Sequence, residues 1–108
     1  MVEILEQSKL NNTSVGVHGI ADISGVKMDK LKDSKYLMNN LRVSLLKAHF
    51  TILEEKVIKF PGIDSGVTGI FVLSESHAAF HSYPEYKYIG VDIFSCGKSN
   101  PIKAIKYF

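Results

Sequence analysis

The sequence predicts an α+β fold, a two-layer sandwich in which a four-stranded, mainly antiparallel sheet carries helices on one face. Two observations favour this class. Segments with the alternation or the β-branched content of strands lie on both sides of one segment with helical periodicity. Later in the chain, two strand-like segments follow each other with no helix between them, which is typical of antiparallel neighbours.

Four segments form the predicted strands. The first, residues 14–24 (SVGVHGIADIS), alternates apolar residues with polar or small ones. The others, residues 50–60, 67–76 and 86–97, are rich in valine, isoleucine and aromatic residues. Residues 61–66 (PGIDSG) are dense in turn-forming residues and predict a loop between the second and third strands.

Two segments form the predicted helices. The first spans residues 34–49, and either Asp33 or Ser34 can cap it by accepting a hydrogen bond from a free backbone N–H of the first turn. Its apolar residues recur at helical spacing and form one face: Leu37, Met38, Leu41, Leu45 and Ala48. The second spans residues 100–108 and opens with Asn-Pro, a cap residue followed by a residue that needs no N–H partner.

The chain has 108 residues, of which 45% are hydrophobic and 22% charged, as in ordinary globular domains. This length predicts a single domain over residues 1–108, small enough that pairing with a second copy would help to stabilise it. Residues 1–13 are polar and are predicted to form a loose N-terminal arm.

Charge and hydropathy argue against two classes of partner. A net charge of +2 is too small to predict nucleic-acid binding, and the lysines of KMDKLKDSK alternate with acids as in a solvated segment. No apolar run approaches the roughly 20 residues that span a bilayer, and the acidic N-terminal segment is unlike a secretory signal. The single cysteine, Cys96, excludes an internal disulfide, and we expect a cytoplasmic protein.

Residues 74–86 (SESHAAFHSYPEY) hold two of the four histidines together with two acids and several hydroxyl groups. A half-buried strand could use the two alanines and the phenylalanine. Packing gives no reason for the cluster of polar side chains around them: Glu75, Ser76, His77 and His81. The cluster therefore predicts chemistry, although its composition does not name the reaction.

Two familiar kinds of site fit this cluster poorly. A serine hydrolase needs a strand-to-helix elbow of the form G-x-S-x-G, which is absent, and no predicted helix follows Ser76. A metal site made by His77, His81 and Glu85 would require a helix, which Pro84 and the neighbouring strands disfavour. On a strand the two histidines would share a face but lie about 13 Å apart, too far for one ion. We therefore predict no metal ligands here.

Residues 68–97 closely resemble the core of the prokaryotic-type S-adenosylmethionine decarboxylase proenzymes. That family carries Glu-Ser-His, a second histidine, an aromatic-Pro-Glu-Tyr segment and a strand ending in Cys-Gly, all present here in TGIFVLSESHAAFHSYPEYKYIGVDIFSCG. The spacing from Ser76 to His81 and to Cys96 matches the family without a gap. The resemblance extends over about residues 15–108.

The N-terminal part of the chain carries a second, shorter match. In HGIADISG, His18, Asp22 and Gly25 follow the family's early pattern of histidine, acid and glycine. Other positions depart from the family, since Phe80 replaces an aliphatic residue and Ser82 replaces threonine. The loop PGIDSG is also less typical, and it lies where the family's substrate contacts are expected.

The resemblance implies a self-cleaving zymogen. Ser76 Oγ would attack the carbonyl carbon of Glu75 in an N-to-O acyl shift, and β-elimination from the ester would leave a pyruvoyl group at residue 76. Cleavage between residues 75 and 76 would give chains 1–75 and 76–108, and no external cofactor would be needed. By the same match, His81 would move protons during processing, a role suited to imidazole.

The resemblance also implies roles in turnover. The pyruvoyl group would form a Schiff base with the amine of the substrate and act as an electron sink. Cys96 matches the family's proton donor, Thr68 matches a hydroxyl residue near the active site, and Glu85 matches the acid that contacts the ribose hydroxyls. We expect Ser76, His81 and Cys96 at neighbouring ends of adjacent strands.

These matches predict a pyruvoyl-dependent S-adenosylmethionine decarboxylase that makes decarboxylated S-adenosylmethionine for spermidine synthesis. Its small-molecule substrate would be S-adenosylmethionine, and it would work as a homo-oligomer, a dimer of cleaved protomers. One alternative is a pyruvoyl-dependent decarboxylase of ornithine or arginine. Another is a non-catalytic, unprocessed regulatory homologue, against which we count the intact cluster: Glu75, Ser76, His81 and Cys96.

Overall fold

A computed structural model of the chain describes residues 2–8 and 15–108, and within the first range it describes the side chains of Glu3 and Ile4 alone. Six strands, three helices and one 3₁₀ turn lie in these residues. In chain order they are β1 Val2–Ser8, β2 Val17–Ser24, α1 Met28–Leu31, α2 Ser34–Lys47, β3 Ile52–Lys59, β4 Val67–Leu73, β5 Ser76–Tyr83, a 3₁₀ turn Pro84–Tyr86, β6 Tyr88–Ser95 and α3 Pro101–Tyr107.

The strands form one sheet in the order β1-β2-β6-β5-β4-β3, and each neighbouring pair is antiparallel. The α+β class and the antiparallel sheet are therefore confirmed. The predicted number of strands was wrong, because the described part of the chain contains six rather than four. The two additional strands are β1 and β5.

Strand β1 lies inside the stretch that was expected to be a loose arm. It pairs with β2 from Val2 opposite Ile23 to Ser8 opposite Val17, which corrects that expectation for residues 2–8. An edge strand is held mainly by backbone hydrogen bonds to one neighbour, so a largely polar sequence can form it. The remainder of the predicted arm lies outside the described residues.

Strand β5 lies in the middle of the sheet, between β4 and β6. It was not predicted because its polar residues were interpreted as a catalytic cluster, and the alternation of buried and outward-facing residues was overlooked. Ala78, Phe80 and Ser82 are buried, while the residues between them turn to the other face of the sheet, as a period of two requires. A two-residue turn, Ser74 and Glu75, joins β4 to β5.

The two predicted helices, α2 and α3, begin where the sequence predicts. The short helix α1 was not predicted, because four residues are too few to show helical periodicity. The Asp33 carboxylate accepts a hydrogen bond from the backbone N–H of Tyr36 at 3.0 Å and caps α2, and the Asn100 side chain caps α3 in the same way. Helix α2 ends two residues earlier than predicted, at Lys47. None of the helices in the described ranges reaches the length and hydropathy that a bilayer-spanning segment requires.

The apolar core lies between the helices and one face of the sheet. Helix residues such as Leu41 and Leu45 pack there against buried strand residues: Ala21, Val67, Phe71, Leu73, Ala78, Phe80, Ile89, Val91 and Ile93. These strand positions alternate with residues on the opposite face, which we call the open face. Because the helices cover one face only, the polar side chains of β2, β5 and β6 are concentrated on the open face.

Candidate active site

The Glu75–Ser76 peptide bond lies at the turn between β4 and β5. The Glu75 carboxylate accepts a hydrogen bond from the backbone N–H of Thr51 at 3.1 Å, and the Ser74 N–H donates to the Thr51 carbonyl at 3.0 Å. On its other side, Glu75 lies so close to Gly97 that a Cβ on the glycine would be 2.9 Å from Glu75 Cγ. The turn is therefore held from two directions.

The backbone at Ser76 is strained. Its φ angle is 150°, in a region that residues with a side chain rarely adopt. Such a conformation costs about 1–3 kcal/mol and persists where the surrounding structure imposes it. Here the strained residue immediately follows the peptide bond that the sequence predicts to be cleaved.

The carbonyl oxygen of Glu75 accepts two hydrogen bonds from Cys96. The backbone N–H of Cys96 donates at 2.9 Å and its thiol donates at 3.1 Å. Cys96 reaches this carbonyl because β6 ends at Ser95, which lies opposite Ser76 in the sheet. Two donors on one carbonyl oxygen form an oxyanion hole, which would stabilise negative charge on that oxygen during attack at the carbonyl carbon.

A row of polar side chains leads away from Ser76 on the open face. Ser76 Oγ lies 3.4 Å from His77 Nδ1, and His77 Nε2 lies 3.4 Å from Asp92 Oδ2. The other Asp92 oxygen is hydrogen-bonded to His18 Nε2. His18 was noted only as part of the resemblance, and Asp92 was not among the predicted site residues. The signal that could have found Asp92 is the register of β6 between β2 and β5, which one sequence does not give.

A second group lies at the other end of β5. Thr68 and His81 are directly opposite each other on β4 and β5, with 3.0 Å between Thr68 Oγ1 and His81 Nδ1. Both line a cavity of about 400 Å³ together with Glu85. The loop that departs from the family pattern contributes to the same cavity through Pro61, Ser65 and Gly66.

These two groups are separate within one chain. Ser76 and His81 are five residues apart on the same strand, about 16 Å at the rise of a β-strand. The expectation of neighbouring strand ends is therefore met for Ser76 and Cys96, and it was wrong for His81. The reason is that the missed strand β5 runs straight through the interval and keeps its two ends apart.

Tyr88 and Asp22 form a third polar contact on the sheet. The Tyr88 hydroxyl donates to Asp22 Oδ1 at 2.5 Å. This hydrogen bond, with smaller contributions from burial and from the charge of Asp22, raises the pKa of Tyr88 from 10.0 to about 12. The hydrogen bond stabilises the neutral phenol, and it joins the outer part of β2 to β6.

The raised pKa of Tyr88 predicts that one tyrosine ionises later than the others in an alkaline titration followed by tyrosinate absorbance. Because the folded pKa exceeds the unfolded value, this contribution to stability is complete below pH 10 and is lost as the pH rises through about 12. Asp22→Asn removes the charged acceptor and should move that late transition to lower pH. Tyr88→Phe should remove it and serves as the control, whereas an unchanged late transition in Asp22→Asn would contradict the assignment.

Comparison with known proteins identifies the family. A family model described as S-adenosylmethionine decarboxylase matches residues 17–108. An S-adenosylmethionine decarboxylase proenzyme of Anoxybacillus flavithermus is 34% identical over 94 residues, which cover 87% of this chain and 74% of that protein. An arginine decarboxylase proenzyme of Hyperthermus butylicus is 35% identical over 94 residues, which cover 86% of this chain and 66% of that protein.

A solved structure agrees with the family model. The crystal structure of the adenosylmethionine decarboxylase from Aquifex aeolicus superposes on this chain with a TM-score of 0.73 at 30% sequence identity. The superposition covers 86% of this chain and 73% of the other. The match of the family model and the identity to these relatives together show that the chain belongs to the S-adenosylmethionine decarboxylase family.

Proposed function

We propose that this protein cleaves itself between Glu75 and Ser76 and then decarboxylates S-adenosylmethionine with a pyruvoyl group made from Ser76. The product would serve spermidine synthesis. The observation that carries the proposal is the environment of the Glu75 carbonyl oxygen, which accepts hydrogen bonds from both the N–H and the thiol of Cys96. The strained backbone of the adjacent Ser76 supports it.

The processing chemistry uses groups that already lie at the turn. Ser76 Oγ adds to the carbonyl carbon of Glu75, and the charge on the carbonyl oxygen is stabilised by the two donors of Cys96. The C–N bond then breaks, which leaves an ester on Ser76 and a free amine. Loss of the Ser76 Cα proton expels the Glu75 carboxylate, and hydrolysis with one water releases ammonia and leaves a ketone at residue 76. No oxidant or reductant is required.

The residues around position 76 fit a pyruvoyl group and its reaction. Such a group withdraws electrons from the α-carbon of an amino acid, which is what loss of CO₂ requires. The Cys96 thiol lies 3.1 Å from the Glu75 carbonyl oxygen, next to residue 76, and from there it can deliver a proton to the α-carbon of a bound substrate. Its role requires a reduced thiol, so we place the protein in the reducing cytoplasm.

The cavity at the other end of β5 suits the nucleoside part of the substrate. Glu85 lines it, and a carboxylate can accept hydrogen bonds from two vicinal ribose hydroxyls. Thr68 and His81 lie on its sheet wall, where they can face the reacting part of a bound molecule. We therefore assign substrate binding to Thr68 and Glu85, and proton movement during processing to His81.

We infer that a second copy of the chain completes each site. The cavity of one chain is about 16 Å from its own Ser76, too far for one small substrate to contact both ends. Two chains packed antiparallel through their open faces would bring the cavity of each over the Ser76 of the other. The open face and the adjoining edge carry exposed apolar side chains suited to such an interface: Ile58, Ile70, Val72 and Tyr83.

Self-cleavage predicts two fragments in the denatured protein, chains 1–75 and 76–108. Intact mass spectrometry should find both, with the smaller one lacking a free N-terminal amine and gaining two hydrogens on borohydride reduction. Ser76→Ala should leave one full-length species, because no hydroxyl remains to attack. Ser74→Ala, in the same turn, is the matched control and should be cleaved. A wild-type chain that stays whole would favour the non-catalytic alternative.

Cys96→Ser separates processing from turnover. The serine hydroxyl can still donate to the Glu75 carbonyl, so we expect cleavage to continue. A hydroxyl gives up its proton less readily than a thiol, so CO₂ release should fall about 10²-fold or more. The assay uses carboxyl-labelled S-adenosylmethionine, with arginine and ornithine in parallel. A wild-type rate would remove Cys96 from the reaction, and release from arginine or ornithine alone would change the assigned substrate.

A shared site predicts complementation between two inactive variants. Ser76→Ala and His81→Ala, each expressed alone, should be defective in cleavage. When they are co-expressed, the His81→Ala chain should be cleaved, because its Ser76 meets the intact Thr68 and His81 of the other chain. Different affinity tags distinguish the two chains by mass, and light scattering reports the dimer. Mixed dimers without cleavage would contradict a site built from two copies.

A further inference from the structure

We propose that His77 is the base that takes the hydroxyl proton of Ser76 in self-cleavage, and that Asp92 and His18 hold it in the required orientation. The inference rests on the proposed cleavage at Ser76 and adds residues to which the resemblance gave no role. The structural observation is the continuous row from Ser76 Oγ through His77 and Asp92 to His18.

The contacts in this row have the order of a nucleophile, a base and an orienting acid. Ser76 Oγ and His77 Nδ1 are 3.4 Å apart, and the other nitrogen of the same ring is 3.4 Å from Asp92 Oδ2. These lengths are at the long end for hydrogen bonds, as is common for catalytic pairs before the reacting groups close together. A serine becomes a useful nucleophile when such a base is adjacent to it.

The hydrogen bonds of the two Asp92 oxygens determine which ring nitrogen of His77 carries no proton. An ionised carboxylate only accepts hydrogen bonds, and here each oxygen faces the Nε2 atom of a different histidine. Both imidazoles must therefore carry their proton on Nε2 to satisfy Asp92. In neutral His77 this leaves the Nδ1 lone pair directed at the Ser76 hydroxyl, which is the tautomer that a base needs.

Strand β6 also fixes the orientation of the two rings. Phe94, two residues after Asp92, lies opposite both His18 and His77 in the register of the sheet. The His77 ring stacks on Phe94 at 6.3 Å between centroids, and the His18 ring meets it edge-on at 5.8 Å. Three adjacent strands thus contribute to one rigid arrangement whose end is the reacting serine.

The proton movement assigned to His81 belongs to a different step, the loss of the Ser76 Cα proton, and within one chain His81 does not lie beside Ser76 Oγ. It is about 16 Å along the strand from Ser76, and its Nδ1 atom is engaged by Thr68 at 3.0 Å.

In the step assigned to His77, the Oγ–C bond forms as the hydroxyl proton passes to Nδ1. The C–N bond then breaks as that proton passes to the departing amine of Ser76.

The donor atoms of His18, His77 and Asp92 all lie within 4.8 Å of one another, so the same side chains could bind a divalent transition metal. A chelator distinguishes metal binding by these side chains from proton transfer through them. If the row works through proton transfer, EDTA should leave the cleavage rate unchanged. Cleavage that is lost in EDTA and restored by Zn²⁺ would overturn the assignment of His77 as a base.

The test follows precursor disappearance by intact mass in wild-type protein and in His77→Ala. We expect cleavage of His77→Ala to be slower by about 10²-fold or more and to be partly restored by added imidazole. Hydroxylamine, which cleaves esters but not amides, should release no fragments from this variant, because the defect precedes the ester. Fragments released by hydroxylamine would place His77 after the acyl shift and overturn the proposal.

Two further variants guard against loss of folding and test the positioning residues. His49→Asn changes an exposed histidine with φ 68°, a conformation that asparagine tolerates, and should cleave like wild type. Asp92→Asn is nearly isosteric and should slow cleavage, while Asp92→Glu should recover part of the rate. If wild type and His49→Asn are cleaved and His77→Ala is cleaved equally fast, self-cleavage stands and the role of His77 is excluded.

Discussion

The pairing of β5 with β6 is the constraint on which the site depends. It places Ser95 opposite Ser76, and the next residue, Cys96, then reaches the carbonyl oxygen of Glu75. A slip of one residue would turn every side chain of β5 to the other face of the sheet. Buried residues on the core face of these two strands, among them Phe80 and Val91, make such a slip costly. The hydrophobic core therefore also fixes the geometry around the Glu75–Ser76 bond.

The two faces of the sheet have different tasks. The covered face is apolar and supplies the stability of the domain, whereas the open face carries imidazoles, carboxylates and exposed apolar side chains side by side. The strain at Ser76 can persist because the strand that begins there is held on both sides, by β4 and by β6. A central strand with one polar face thus holds its imidazole and hydroxyl groups on a rigid backbone.

Much of the fold could be predicted from periodicity and capping. The apolar alternation of β2, the helical spacing in α2 and the cap residues Asp33 and Asn100 are local signals, and local physics decides them. Strand β1 was not predicted, because backbone pairing at the edge of a sheet needs little apolar alternation. Strand β5 was not predicted, because its polar side chains interrupt the apolar composition expected of a central strand.

The site was less predictable than the fold, for a physical reason. Sequence spacing tells which residues share a face of a strand, but not which strands are neighbours or in what register. The contact of Cys96 with the Glu75 carbonyl, and the row from His77 to His18, both cross between strands that are distant in sequence. The resemblance named Ser76, His81 and Cys96, yet the distance between Ser76 and His81 appeared only when β5 was seen as one continuous strand.

The position of the Glu75–Ser76 bond has a consequence for how the protein folds and refolds. Chain 76–108 would contribute β5 and β6, which lie in the interior of the sheet, flanked by β2 and β4 of chain 1–75. The two pieces would be interleaved, so neither could leave without dismantling the other's hydrogen bonds. Once cut and denatured, the protein would have to reassemble from two molecules, and its recovery would depend on concentration. Folding would thus belong to the precursor, and cleavage would convert a unimolecular folding problem into a bimolecular one.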